Sequence, residues 1–316
     1  MKKRLALSLT ICLSFIIFSC AESKKPPEVT QPQGPAPIPK LTGPKKRVGI
    51  FAFKNKSRYG QNKLTQAAVD VLYSELEKSN LFNLYERADL AELEKEFDLI
   101  ETKKVSPAAA AQKGQWVGVQ AVIIGTITQF GLWEEAKDYG AYKKKTEIAE
   151  CTVDVRVVDV TNGQIITADS GTGRTERSME TTFGLGAKGS YDETMADKAL
   201  RDSIDKFIDN LIRRLNEMPW EGKVVDLDTS GSEQTVYVNA GRKSQMPKGA
   251  KLAVYQVTGK LTDPETGQFL GYKTRRVAAA EVFDFAGEDV SMARVTSGAG
   301  SISKGDIVKL EQDVGK

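Results

Sequence analysis
The 316-residue sequence contains no histidine. That removes the commonest general base, the commonest metal ligand and every Ser-His or Cys-His nucleophile arrangement. Cysteine is nearly as scarce, with Cys12, Cys20 and Cys151 the only three. Processing of the N-terminus, as read below, removes Cys12 and modifies Cys20, so Cys151 is left alone and no intrachain disulfide can form even in an oxidising compartment. An excess of one charge is missing too. The 45 Lys and Arg against 42 Asp and Glu leave +3, with the two signs interspersed, which provides no electrostatic footprint for nucleic acid. The acidic residues fall mostly in helical charge patterns such as Glu92, Glu94, Lys95 and Glu96, which read as solvated faces. The expectation is a protein that is not an enzyme and carries no cofactor or metal.

What is present begins at the first residue. Lys2, Lys3 and Arg4 precede an apolar stretch over residues 5–18, the length of a signal-peptide core rather than of a spanning helix. Ile17-Phe18-Ser19-Cys20 resembles the bacterial lipobox, in which a small residue precedes a cysteine that is acylated before cleavage. Residues 1–19 are therefore read as a lipoprotein signal peptide and Cys20 as the lipid-bearing N-terminus, with the membrane as a partner through that anchor. Ala21, where an aspartate would retain the protein at the inner membrane, favours the outer membrane with the chain facing the periplasm. Residues 20–46 hold Pro26, Pro27, Pro32, Pro35, Pro37 and Pro39 among lysines and small polar residues. That composition cannot bury a core and stays extended, as a tether would.

From residue 47 the grammar is mixed. Arg47-Val48-Gly49-Ile50-Phe51-Ala52-Phe53 is a central strand. A helix starts near Asn62, with Leu64, Ala68, Val71, Leu72 and Leu76 on one face at the 3.6-residue period. Phe82-Asn83-Leu84-Tyr85 is a short strand, and helices are expected from Asp89 and after Ser106-Pro107. Residues 121–130 and 152–160 form strands. Asn162-Gly163 supplies the positive φ of a tight hairpin, returning 164–170 antiparallel. Residues 195–215 carry Ala199, Ile204, Phe207, Ile208, Leu211 and Leu215 as one long amphipathic helix. Beyond Gly222 the helical period vanishes, and strands at 223–227, 235–238, 251–257, 276–285 and 291–295 alternate with Gly- and Pro-rich turns. The fold class is therefore α+β, a mixed sheet with amphipathic helices and β-hairpin inserts over 47–219, followed by a small all-β domain over 220–316.

In their order, Val48 to Phe53, Leu84-Tyr85-Glu86-Arg87, Ile123-Ile124-Gly125 and above all Val153-Asp154-Val155-Arg156-Val157-Val158-Asp159-Val160-Thr161-Asn162-Gly163 resemble the curli production channel family (CsgG). The likeness covers residues 47–215. It implies an oligomeric outer-membrane lipoprotein that exports protein subunits, with copies of itself, a secreted polypeptide or envelope assembly proteins as partners. Separately, Val238-Asn239-Ala240-Gly241, Lys248-Gly249 and Asp263-Pro264-Glu265-Thr266-Gly267 resemble the C-terminal domain of the flagellar assembly protein T family, which implies a scaffold or docking module.

In the curli channel, two inserts per subunit become hairpins of one shared barrel, and 131–150 and 172–192 correspond here. A membrane strand needs ~9–11 residues with one uncharged face. The second insert offers one: Met179, Thr181, Phe183, Leu185 and Ala187 alternate with Glu180 and Lys188, and Tyr191 suits an interface. The first does not, because Glu135 and Lys137 share a face with Trp133 while Glu134 and Asp138 lie on the other. The loop 54–62, which corresponds to the channel's constriction, has Tyr59 as its single aromatic, and Lys56 and Arg58 join it as pore-lining candidates. Two readings stay open: a secretion channel, and a periplasmic oligomer or docking lipoprotein that does not span the membrane.

Overall fold
The structure is a computed structural model. It describes residues 39–58, 61–85, 118–138, 142–182, 193–231, 233–265, 269–298 and 302–313. The first strand, β1 (Lys46–Asn55), is followed by helix α1 (Gln61–Ser79) and strand β2 (Phe82–Tyr85). The crossover through α1 makes β1 and β2 parallel, with Val48 opposite Leu84, as a helical connection between neighbouring strands requires. Asn80 ends α1 with φ at 56°, the left-handed cap that asparagine tolerates.

Three long strands follow: β3 (Ala121–Asp138), β4 (Tyr142–Asp159) and β5 (Ile165–Thr182). The five strands form one sheet in the order β2-β1-β3-β4-β5, parallel from β2 to β3 and antiparallel beyond. In β3, Gly125 lies beside Phe53, and a Cβ at that position would stand inside the phenyl ring. The glycine of the Ile123-Ile124-Gly125 string thus makes room for a core aromatic.

One face of the sheet carries α1 together with α2 (Glu193–Asp205) and α3 (Ile208–Glu217). Between them lies the main core, in which Ile50, Leu72, Leu76, Ile123, Val153, Leu200, Ile204 and Leu211 are all nearly inaccessible. Each such side chain contributes roughly 1.5–3 kcal/mol on burial. The single long helix expected over 195–215 is instead two, broken at Lys206 and Phe207. One turn before the break, the Ser203 hydroxyl donates to the Leu200 carbonyl at 2.6 Å, a back-bond of the kind that bends helices. The other face of the sheet carries a smaller cluster of Phe51, Val119, Val122, Val158 and Val160.

The C-terminal strands are β6 (Glu221–Asp228), β7 (Thr235–Val238), β8 (Lys251–Thr262), β9 (Phe269–Phe285), β10 (Ser291–Ser297) and β11 (Ile307–Leu310). They close into a barrel in the order β10-β7-β6-β11-β8-β9 around Trp220, Val236, Val238, Leu252, Val254 and Val308. Sequence periodicity located five of these strands and missed β11, the four residues that follow Lys304-Gly305-Asp306. That strand pairs with both β6 and β8, so it is what closes the barrel.

Candidate functional site
The two inserts converge on one feature. The outer halves of β3 and β4 continue beyond the helix-covered sheet, with Glu134 opposite Glu147 and Asp138 opposite Lys143. Residues 174–182 of β5 lie along the same stretch of β4, with Arg177 opposite Glu147 and Thr182 opposite Tyr142. The result is a three-stranded antiparallel ribbon. Across one of its faces run Leu132, Glu134, Ala136, Asp138, Lys145, Glu147, Thr175 and Arg177, since directly opposed residues share a face. The other face bears Trp133, Glu135, Lys137, Lys144, Ile148, Glu150, Arg174 and Glu176. Lys145 bridges Glu134 at 2.7 Å, Arg174 bridges Glu176 at 2.8 Å, and the Arg174 guanidinium sits 5.7 Å from the Trp133 ring centre.

Of the uncharged face read from the second insert, Met179 and Thr181 pair in register with Lys145 and Lys143, while Phe183, Leu185 and Ala187 lie outside the described residues. Both edges of the ribbon are open among the described strands. β5 is the sheet's edge, and β3 meets β1 only as far as Ile127.

Of the candidate pore-loop residues, Lys56 and Arg58 are exposed beyond the end of β1. The Lys56 amide donates to the Ile127 carbonyl at 2.9 Å, and its side chain borders a shallow cavity of about 510 Å³ with Thr126, Thr128, Asp154, Arg156 and Ser170. Met179 is not brought near it: Met179 lies level with Ala136 across β4, some nine residues along β3 from Ile127, or ~30 Å at strand spacing. Cys20, Tyr59, Phe183, Leu185 and Tyr191 lie outside the described residues, as do the helices expected between 89 and 111. Cys151 is fully buried, and burial pushes its thiol up to about 12 despite a hydrogen bond with Ser203. It is a core residue.

A second feature escaped sequence reading. Arg47, the second residue of β1, is 7% exposed and holds the sheet against the barrel. Its Nε donates to the Gly118 carbonyl, one terminal nitrogen to Asn239 O at 2.6 Å and the other to Glu221 O at 3.1 Å. Burial lowers its pKa, opposed at longer range by Tyr85 and Asp289. Nearby, the Lys45 amide donates to Ser244 O at 2.8 Å and the Asn83 side chain to the Ser244 hydroxyl at 2.9 Å. Between sheet and barrel these residues leave a cleft of about 270 Å³ bordered by Arg47, Val119, Val160, Lys223, Val257 and Tyr272. No pattern within a single element announces such a site, because its members come from six separate segments.

The entry into β1 is held as firmly. The Asn216 side chain accepts from the Thr42 amide at 3.2 Å and donates to Lys40 O at 2.8 Å. The buried Lys46 ammonium donates to Thr42 O at 2.5 Å and Asn216 O at 2.8 Å. Among the described residues no helix is long and apolar enough to cross a membrane, and no group of three or more Cys, Asp or Glu side chains is arranged to hold a metal.

The chain is similar to several known proteins. A protein of Neisseria meningitidis serogroup B, named as a lipoprotein, is 24% identical over 185 residues, spanning 55% of this chain and 78% of its own. Among solved structures, lipoprotein GNA1162 from Neisseria meningitidis aligns at 14% identity with a TM-score of 0.32, over 55% of this chain and 99% of that one. The PelC dodecamer from Paraburkholderia phytofirmans aligns at 10% identity with a TM-score of 0.28, over 53% and 92%. The family model described as curli production assembly/transport component CsgG matches residues 37–241, well over half of the 316. The chain belongs to the CsgG family.

Proposed function
We propose that the protein is a lipid-anchored, self-associating component of a bacterial envelope assembly, held at the outer membrane through Cys20, whose β3–β4–β5 ribbon works in water rather than in the bilayer. The observation that carries this reading is the charge on both faces of the ribbon. Whichever face met lipid would bring in at least Glu134, Lys145 and Arg177, or Glu135, Lys137, Lys144 and Arg174. Each Lys or Arg on the lipid face of a membrane barrel costs ~2–4 kcal/mol near the midplane, so several together outweigh what the few apolar positions return. The open edges of β3 and β5 provide the contacts for copies of the chain, by main-chain pairing of the kind sheet edges offer. The C-terminal barrel is the docking module, on its likeness to the flagellar assembly protein T family, and no catalysis is assigned.

A transport pore is the second reading, favoured by membership of a family described by assembly and transport. Reconstitution of the full-length lipoprotein in planar bilayers separates the two. The aqueous-ribbon reading expects oligomers without conductance, and a Cys20→Ala variant that is released as a soluble oligomer. Large, stable channels that vanish on deletion of 172–182 would overturn it.

A further inference from the structure
The cleft between sheet and barrel contains two cations, Arg47 and Lys223, and among the described residues neither makes a direct ion pair. Arg47 is nine-tenths buried, and all of its hydrogen bonds go to carbonyl oxygens, none of which carries a full negative charge. Lys223 lies beside it, half-buried, and no hydrogen bond or ion pair reaches its ammonium among the described residues. Burial and then repulsion by Arg47 lower its pKa, against the attraction of Glu221. Of the acids nearby, Glu221 lines the cleft and attracts Lys223, and Asp289 attracts Arg47 through space. Glu221 is bridged by Lys309 at 2.6 Å, and the Asp159 carboxylate accepts the Thr161 amide at 2.6 Å while burial raises its pKa. A buried cation with no direct ion pair is costly, so an anion that enters the site and pairs with these groups is stabilised there. The rest of the wall is mixed: Val119, Val160, Val257, Ile307 and the Tyr272 ring give it an apolar part, beside the polar Gln120, Thr161 and Asn239. At about 270 Å³ the cleft has room for a ligand smaller than a typical drug-sized one.

We infer that this cleft binds a small carboxylate attached to an apolar body about the size of one amino-acid residue, with the carboxylate on the Lys223 ammonium and the spare N–H groups of Arg47. This inference stands whether or not the ribbon spans a membrane. Neither cation alone would make the site: Arg47 supplies orientation through its fixed plane, and Lys223 supplies a charge free to move onto the ligand.

The test is isothermal titration of the purified protein with N-acetyl-leucine, N-acetyl-leucinamide and inorganic phosphate. The expected result is saturable binding of N-acetyl-leucine, at least tenfold weaker for the neutral amide and for phosphate. Lys223→Met should weaken N-acetyl-leucine at least tenfold, and Lys223→Arg should restore most of it. Val257→Glu, on the exposed rim, places a carboxylate in the cleft without touching either core and should compete with the ligand, weakening it likewise. The inference is overturned by no saturable binding to the wild-type protein, by an amide or phosphate that binds as well as the carboxylate, or by variants that bind like the wild type.

Discussion

Helix α2 sits on β5 so closely that the strand must be glycine beneath it. A Cβ on Gly173 would fall well inside 3.0 Å of the Ala199 carbonyl oxygen and the Ser203 amide nitrogen, and one on Gly171 would do the same at the Ser203 carbonyl oxygen. These are backbone atoms of a helix whose Met195, Ala196, Ala199, Leu200 and Ile204 are all buried in the main core. No side chain can swing aside, so the whole helix must retreat. Overpacking of this kind costs typically 1–3 kcal/mol, and a clash with backbone belongs at the upper end, so Gly173→Ala should cost about 3 kcal/mol. For a chain of this size that amounts to a melting point lowered by about 6–12 °C. The assay is thermal unfolding followed by far-UV circular dichroism, with urea unfolding as a check on the slope. Gly231→Ala is the control, because nothing lies nearer than 3.8 Å to its Cβ, and it should stay within about 0.5 kcal/mol of the parent. A Gly173→Ala protein as stable as this control would refute the seating of α2 on β5, and with it the account of how the ribbon is held at its base.

Asn216→Ala removes the acceptor of the Thr42 amide and the donor to Lys40 O. Stability should fall by about 1–3 kcal/mol, and trypsin should cut after Lys40 faster than in the parent, which a timed digest read by mass spectrometry will show. Cys151 should resist Ellman's reagent in the native protein and react once it is unfolded. Its folded thiol lies at about 12 against an ordinary value of 9.0, so the unfolded chain loses that proton first. Native stability should therefore fall as pH rises from about 9 towards 12, by up to ~1.4 kcal/mol per pH unit, and a Cys151→Ala variant should lack that component of the slope. Deleting residues 307–316 removes β11 and leaves β6 and β8 with unpaired edges. The barrel should then fail to close, with loss of near-UV signal from the buried Trp220, while a barrel that remains intact would show β11 to be dispensable.

The sequence by itself was enough to locate the strands and helices whose side chains declare their own period. Val153, Val155 and Val157 alternate, Leu64, Ala68, Val71, Leu72 and Leu76 recur each helical turn, and Asn162-Gly163 turns a hairpin. These are local signals, set by residues within a few positions of each other, and they were sufficient to identify the α+β class and the family. Lys56 and Arg58 were correctly read as lying in a loop for the same reason. The strand β11 was illegible because four residues cannot display a period, and it exists only because β6 and β8 both lacked a partner. The break in the helix at Lys206 and Phe207 was likewise invisible, since both halves bury the same face. The ribbon is the clearest case: Met179 and Thr181 sit on an uncharged face when β5 is read alone, and only the pairing with β4 brings Lys145 and Lys143 opposite them. Register between distant segments is decided by the tertiary structure, because side chains on neighbouring strands share a face whatever their separation in sequence. The same holds for the cleft, where Arg47 and Lys223 meet 176 positions apart along the chain, and neither one's charge had meaning until folding placed it beside the other without a direct ion pair.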